Sequence, residues 1–252
     1  MAGTERAKNE IEHGEWLAER DPERIWGWDT PAGRIRARRR AALIAEGCGL
    51  GPNVKALEIG CGTGLFSSLF AETGAQIVAV DISGVLLERA RGRAIPPGRV
   101  RFVERRFEDC DIDGPFDAVI GSSILHHLDM RAALPKIQQL LRPGGRMSFA
   151  EPNLLNPQVL AERTLRSWFP YTSPDETAFV RSRLQATMVA VGFVDVRITP
   201  FDWLHPATPC RWIPAVKRIG AWLEGMPGLR EFSGSLLISG RRPAATLGPV
   251  TK

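Results

Sequence analysis

Ala56-Leu57-Glu58-Ile59-Gly60-Cys61-Gly62-Thr63-Gly64 decides how this chain is read: a short apolar run carrying one carboxylate passes straight into three glycines at every second position. Such a run, followed by the helix-compatible Leu65-Phe66-Ser67-Ser68-Leu69-Phe70-Ala71, reads as strand, tight turn and helix. Glycines there permit positive φ and let a bound molecule lie directly on the backbone. A dinucleotide-binding turn would place its third glycine at position 65, which is Leu65, and would want an apolar residue at position 58. Glu58 repels a pyrophosphate and suits a ligand with an ammonium or other cationic centre. The next apolar run, QIVAVD, ends in Asp81, about twenty residues after Gly60, where a carboxylate accepts hydrogen bonds from both hydroxyls of a ribose. Together the two acids bracket a nucleoside with a positively charged tail.

Outward from this turn, short apolar runs alternate with helical ones: VKALEIG, a helix from about Gly64, QIVAVD, a helix from Val85, VRFVE, FDAVIGSS, a helix over 131–141, and RMSFAE. Strands alternating with helices imply parallel pairing through right-handed crossovers. The expected fold class is α/β, a Rossmann-like doubly wound sheet of seven strands, mostly parallel, with an antiparallel last strand. FVDVRIT and GSLLISG supply the last two strands. Residues 1–50 read as an N-terminal helical cap, with a helix starting at Thr30-Pro31 and stopping in Gly47-Cys48-Gly49. Residues 51–252 form the main domain, with insertions at about 152–173 and 200–232. Ser173-Pro174-Asp175-Glu176 is a capping box that predicts a helix running to about Val191 and ended by Gly192.

Composition narrows the class. At 44% hydrophobic and 24% charged residues the chain reads as an ordinary globular protein, and the charged start MAGTERAKNE fits neither a signal peptide nor a membrane span, so the cytoplasm is the expected location. Cys48, Cys61, Cys110 and Cys210 form no metal-ligand spacing with the histidines, so no metal and no disulfide is expected. The net charge of +5 owes much to Arg34, Arg36, Arg38, Arg39 and Arg40. That run reads first as the solvated side of a helix, and second as contact with an anionic group of a cofactor or substrate.

The segments ALEIGCGTG, AVDIS, FDAVIGSSILHHL and LLRPGGRMSFAEPN resemble the successive motifs of class I S-adenosylmethionine (SAM)-dependent methyltransferases, and more finely the ubiquinone-biosynthesis O-methyltransferase and "type 11" kind. The resemblance covers about residues 30–200 and implies SAM as cofactor. It implies that Gly60, Cys61 and Gly62 back the methionine part, that Glu58 sits near its amino group, and that Asp81 holds the ribose with Ile82 against the adenine. Where the family often has Gly-Asp-Ala, this chain has Arg105-Arg106-Phe107-Glu108, so Arg106, Phe107 and Glu108 are the candidates at the adenine edge. Ser122, Ser123 and His126 fall where the family faces the sulfonium and the acceptor.

His126 has the pKa range to take a hydroxyl proton near neutrality, and His205 in the second insertion is the other candidate base; His126 and His127 equally suit a helix cap. Glu151 and Asn153 leave the fifth strand where acceptors bind or where a turn is needed. Trp26 and Trp28 close over the cofactor or anchor the cap. The insertions read as a lid over a small-molecule acceptor, most simply a hydroxyl oxygen; carbon or nitrogen methylation of a lipidic, sugar or secondary-metabolite acceptor, or a SAM-binding scaffold without turnover, are the alternatives. The absence of an Asn-Pro-Pro-Tyr-like tetrad argues against nucleic acid. The stretch from Thr208 to Glu224 sets Trp212, Val216, Ile219 and Leu223 on one side with Arg211, Lys217 and Arg218 interspersed, a pattern that suits packing on the domain or peripheral contact with a membrane. Oligomeric state is left open by the sequence.

Overall fold

The computed structural model describes residues 2–165, 168 and 177–245. Among them, β1 (Lys55–Ile59), β2 (Gln76–Asp81), β3 (Val100–Glu104), β4 (Phe116–Ser122), β5 (Leu141–Pro152), β6 (Val194–Phe201) and β7 (Ser235–Arg241) form one sheet in the order β3-β2-β1-β4-β5-β7-β6. Strands β1 to β5 pair in parallel, and β7 runs antiparallel to both β5 and β6. The order reverses between β1 and β4, and in open α/β sheets the crevice outside the carboxyl ends at that reversal is where ligands bind.

Helices cover both faces: α1 (Ala2–Ala18), α2 (Pro22–Ile25), α3 (Pro31–Cys48), α4 (Leu65–Ala71), α5 (Gly84–Arg91), α6 (Met130–Leu140), α7 (Pro157–Thr164), α8 (Arg181–Val191) and α9 (Ile213–Glu224). Parallel strands buried on both faces need apolar residues at every position, and period-two alternation sorts them. Leu57, Ile59, Val80, Val119, Met147 and Phe149 pack with Leu134, Ile137 and Met188 on one face. Ala56, Ala79, Ala118, Ile120 and Ala150 pack with Ala41, Ile44 and Cys48 of α3 on the other. The alanines let α3 lie close against the strands.

The Thr30 hydroxyl caps α3 by accepting from the Gly33 N–H at 2.9 Å, Pro31 occupies its first turn, and Gly49 closes it with φ of 65°. The first fifty residues therefore divide: α3 lies in the sheet's helix layer, whereas α1 and α2 cover the carboxyl edge of the sheet.

The helix predicted from Ser173 begins instead at Arg181. Residues 177–180 are extended because the Leu154 N–H donates to the Phe179 carbonyl at 2.9 Å and the Phe179 N–H to the Pro152 carbonyl at 3.3 Å. That backbone is already committed to pairing beside β5, and the capping-box residues 173–176 lie outside the described residues. Gly192 ends α8 as expected, with φ of 98°.

Candidate cofactor and acceptor site

The carboxyl ends of the central strands open into a cavity of about 730 Å³, of the size of small-molecule sites. Its floor is the glycine turn. Gly60, Gly62 and Gly64 have φ of 67°, 50° and 73°, the left-handed region that side chains rarely adopt. A Cβ on Gly60 would stand 2.3 Å from the Ile124 side chain, so that position needs glycine twice over.

Asp81, at the tip of β2, is held by two backbone donors: the Gly62 N–H at 2.7 Å on Oδ2 and the Ser83 N–H at 2.9 Å on Oδ1. Burial raises its pKa, and these N–H groups offset part of the rise. Each oxygen keeps a second lone pair, and the carboxylate lines the cavity. Ile82, Arg106, Phe107, Glu108 and Ser122 also line it. Phe107 is buried, with its ring forming apolar wall. Arg106 is committed to Asp109 at 2.7 Å and Glu108 at 3.4 Å, and Glu108 also accepts the Asp129 N–H at 3.3 Å.

Glu58 departs from its expected place. It is not part of the cavity wall but lies behind the turn, fully buried, with Oε2 accepting from the Ser67 hydroxyl at 2.6 Å. Burial pushes its carboxyl up to about 8. In β1 the side chain at 58 points to the α3–α4 face rather than along the strand toward the cavity, so it braces the turn.

The arginine run divides: Arg34, Arg38 and Arg39 are exposed, whereas Arg36 and Arg40 turn inward. Arg36 pairs with Asp202 at 2.8 Å, Arg39 pairs with Glu224, and Arg40 is 3% exposed. Arg40 Nη1 donates to Ser123 Oγ at 2.7 Å and more weakly to Ser122 Oγ at 3.3 Å, and Nη2 donates to Ser235 Oγ. Its Nε has no partner among the described residues, and burial, followed by the charge of Arg36, lowers its pKa to about 10. Arg36 and Arg40 thus bring two cations to the cavity, and among the described residues the one ion pair they make is that of Arg36 with Asp202, a wall suited to an anion. The periodicity held this signal: Arg40 falls inside the buried stripe of Ala37, Ala41, Ile44 and Cys48.

His126 is buried in the wall beside this group, with Nδ1 at 2.6 Å from Glu151 Oε2. Glu151 is not itself in the wall. Its other oxygen accepts the Ile124 and Leu125 N–H groups, both at 2.9 Å. Burial opposes its ionisation, but the His126 hydrogen bond and charge and those two donors hold its pKa below the usual carboxylate value. Asn153 is structural, donating to the Glu231 and Ser233 carbonyls. His127 lies near Asp81 and pairs with Glu10 of α1 at 3.0 Å.

His205 lies across the cavity on the second insertion, where Nδ1 accepts the Ala207 N–H at 3.1 Å and Nε2 stands 3.1 Å from the Gln158 amide. Burial and then the charge of Arg36 depress its pKa. Trp26 and Trp28 both line the cavity. A Cβ on Gly62 would meet Trp26 at 3.7 Å, and Trp28 stacks edge-on to Phe66 at 5.5 Å with the Arg36 and Arg40 guanidinia over its ring.

A glycine turn at the topological reversal, an acid on the neighbouring strand tip and a buried cation opposite define a nucleoside-cofactor site of Rossmann-like type. Residues 57–147 match the model of the family described as "Methyltransferase domain". The ubiquinone biosynthesis O-methyltransferase of Cronobacter sakazakii is 32% identical over 193 residues, covering 71% of this chain and 75% of that protein. Nodulation protein S of Rhizobium tropici is 25% identical over 146 residues, and the match covers 56% of this chain and only 59% of that relative's length. Among solved structures, the N-methyltransferase NodS of Bradyrhizobium japonicum WM9 with S-adenosyl-L-homocysteine shares the fold, with a TM-score of 0.63 at 19% identity over 93% of this chain and 99% of that one. The chain belongs to the class I SAM-dependent methyltransferases, and its cofactor is S-adenosylmethionine.

Proposed function

We propose that this protein transfers a methyl group from SAM to a hydroxyl oxygen of a small molecule. One arrangement carries the reading: His126, held at Nδ1 by Glu151, stands in the wall of the same cavity as the glycine turn and Asp81. When bound, SAM supplies a methyl group on a cationic sulfonium, so transfer needs chiefly alignment with an acceptor lone pair. The residues present fit that group. Asp81 would accept from the ribose hydroxyls, the Gly60–Gly62 backbone would lie against the amino-acid part, Arg40 would meet its carboxylate, and Ile82 and Phe107 would flank the adenine.

Glu151 takes the Nδ1–H of His126, which makes Nε2 the basic nitrogen. An acceptor hydroxyl bonded there would give up its proton to Nε2 as its oxygen attacks, a contribution of roughly 10²–10⁴ in rate. The segments around α1, α7 and residues 202–207 line the cavity and would shield a bound acceptor from water. His205, across the same cavity, would give the acceptor a second polar contact.

The test is calorimetric titration of the wild type and Asp81→Ala with SAM and S-adenosylhomocysteine, followed by a screen of hydroxylated acceptors. Both ligands should bind the wild type. Losing charge-assisted hydrogen bonds worth about 1.5–3 kcal/mol should weaken the variant roughly 10- to 150-fold. A folded wild type that binds neither ligand would sink the cofactor assignment, and turnover unchanged in His126→Ala would move the acceptor atom away from a hydroxyl.

A further inference from the structure

α9 buries one side and presents an apolar stripe on the other. Ile213 joins Leu204 and Ala32 in a small buried cluster with Val216 against it, and Gly220 packs on Trp203. Trp203 and Leu204 line the cavity, so α9 stands one side-chain layer behind its wall. Glu224, the helix's one acid, turns inward to Arg39 and to the Asp202 N–H at 2.9 Å. Val216 and Leu223, expected on the same face as Trp212 and Ile219, are half-buried.

The outward side of α9 and of the short 3-10 turn Cys210–Trp212 that leads into it carries Trp212, Ile219 and Trp222, which are 54%, 56% and 63% exposed. At 3.6 residues per turn these positions fall within about 80° of one another. Arg211 and Arg218 are exposed alongside, Lys217 is exposed on the far side of the helix, and Glu224 is the sole acid between Cys210 and Leu229. Burying each such apolar side chain is worth about 1.5–3 kcal/mol, so three left outside on one helix mark a surface that is covered by something else.

We propose that α9 docks the protein on an anionic lipid bilayer. Trp212, Ile219 and Trp222 enter the boundary between headgroups and acyl chains, and Arg211 and Arg218 meet lipid phosphates. Indoles favour that boundary, where the ring is in an apolar medium and its N–H stays wet. The charge pattern selects lipid over a second copy of the chain, because a two-fold pairing through this stripe would set the same two flanking arginines against each other. Among the described residues no helix is long and apolar enough to cross a membrane, so the contact is peripheral. Docking through this surface involves no acceptor atom, so its test is independent of methyl transfer.

The test is co-sedimentation of the full chain with vesicles of phosphatidylglycerol mixed equally with phosphatidylcholine, and with phosphatidylcholine alone. A triple variant, W212S/I219S/W222S, and a charge variant, R211E/R218E, accompany the wild type. The wild type should partition onto the anionic vesicles and weakly onto the neutral ones, and each variant should lose at least tenfold in partitioning. Surface changes of this kind cost about 0.5 kcal/mol or less each, so the double variant should melt within about 4 °C and the triple variant within about 6 °C of the wild type. A wild type that stays in the supernatant, or a triple variant that partitions undiminished, overturns the proposal. A wild-type dimer that the triple variant separates, without vesicle binding, assigns the stripe to self-association instead.

Discussion

Glu58 and Glu151 are both fully buried carboxyls, and their neighbours drive them in opposite directions. Glu58 meets one hydroxyl donor, so desolvation dominates and its pKa rises to about 8. Its folded pKa lies above the unfolded value of about 4.3, so the folded state binds the extra proton between those limits and stability falls as pH rises through that window. Glu58→Gln, which cannot ionise, should match the wild type near pH 5 and exceed it near pH 8, the melting gap widening by roughly 4 °C or more. A gap that is the same at both pH values would mean that Glu58 is ionised in the folded state. Glu151 gathers three donors and is stabilised as an anion. Glu151→Gln should lower kcat roughly 10- to 100-fold with an acceptor that the wild type methylates, leave SAM affinity within about threefold, and move the acid limb of the pH–rate profile to lower pH, because His126 loses the negative neighbour that favours its protonation. An unmoved profile would reduce Glu151 to a support for the 124–125 backbone.

The elements of the edge behave differently from those of the sheet. Arg6, Ala7, Glu10, His13, Gly14 and Leu17 follow helical spacing along α1 and line the cavity, while the two large apolar clusters contain none of them. α1 is held by Gly14 against Ser83, by Glu10 on His127 and by Arg89 on the Ala18 and Arg20 carbonyls. A chain lacking residues 2–20 should therefore still unfold cooperatively, with S-adenosylhomocysteine binding weakened about tenfold as the cavity opens to water. Calorimetry beside circular dichroism separates the outcomes: loss of cooperative unfolding would make α1 part of the core. α8 teaches the converse lesson about elements. Residues 177–180, inside the helix expected from Ser173, are not helical, because that backbone pairs with residues 152–154.

For the molecule as a whole, the alternation of apolar runs and helical stretches carried the doubly wound sheet, its seven strands and the antiparallel end, because burial on both faces writes itself into every strand position. The glycine turn and Asp81 were equally legible, since a left-handed backbone and a strand-tip acid are local properties with local signatures. What the chain's order alone left open was which side chains turn toward the cavity. Arg40 was read with its run first as solvent-facing and second as an anion contact, and Glu58 was expected near the ligand: helix phase carries Arg40 inward to Ser123 and Ser235, and strand phase carries Glu58 to Ser67. His126 and Glu151, 25 residues apart, meet only because β4 and β5 are neighbours. Local backbone preference and hydrophobic period thus follow from the sequence by itself, whereas the direction of a polar side chain is decided by long-range packing, since the partner that makes its burial tolerable comes from elsewhere in the chain.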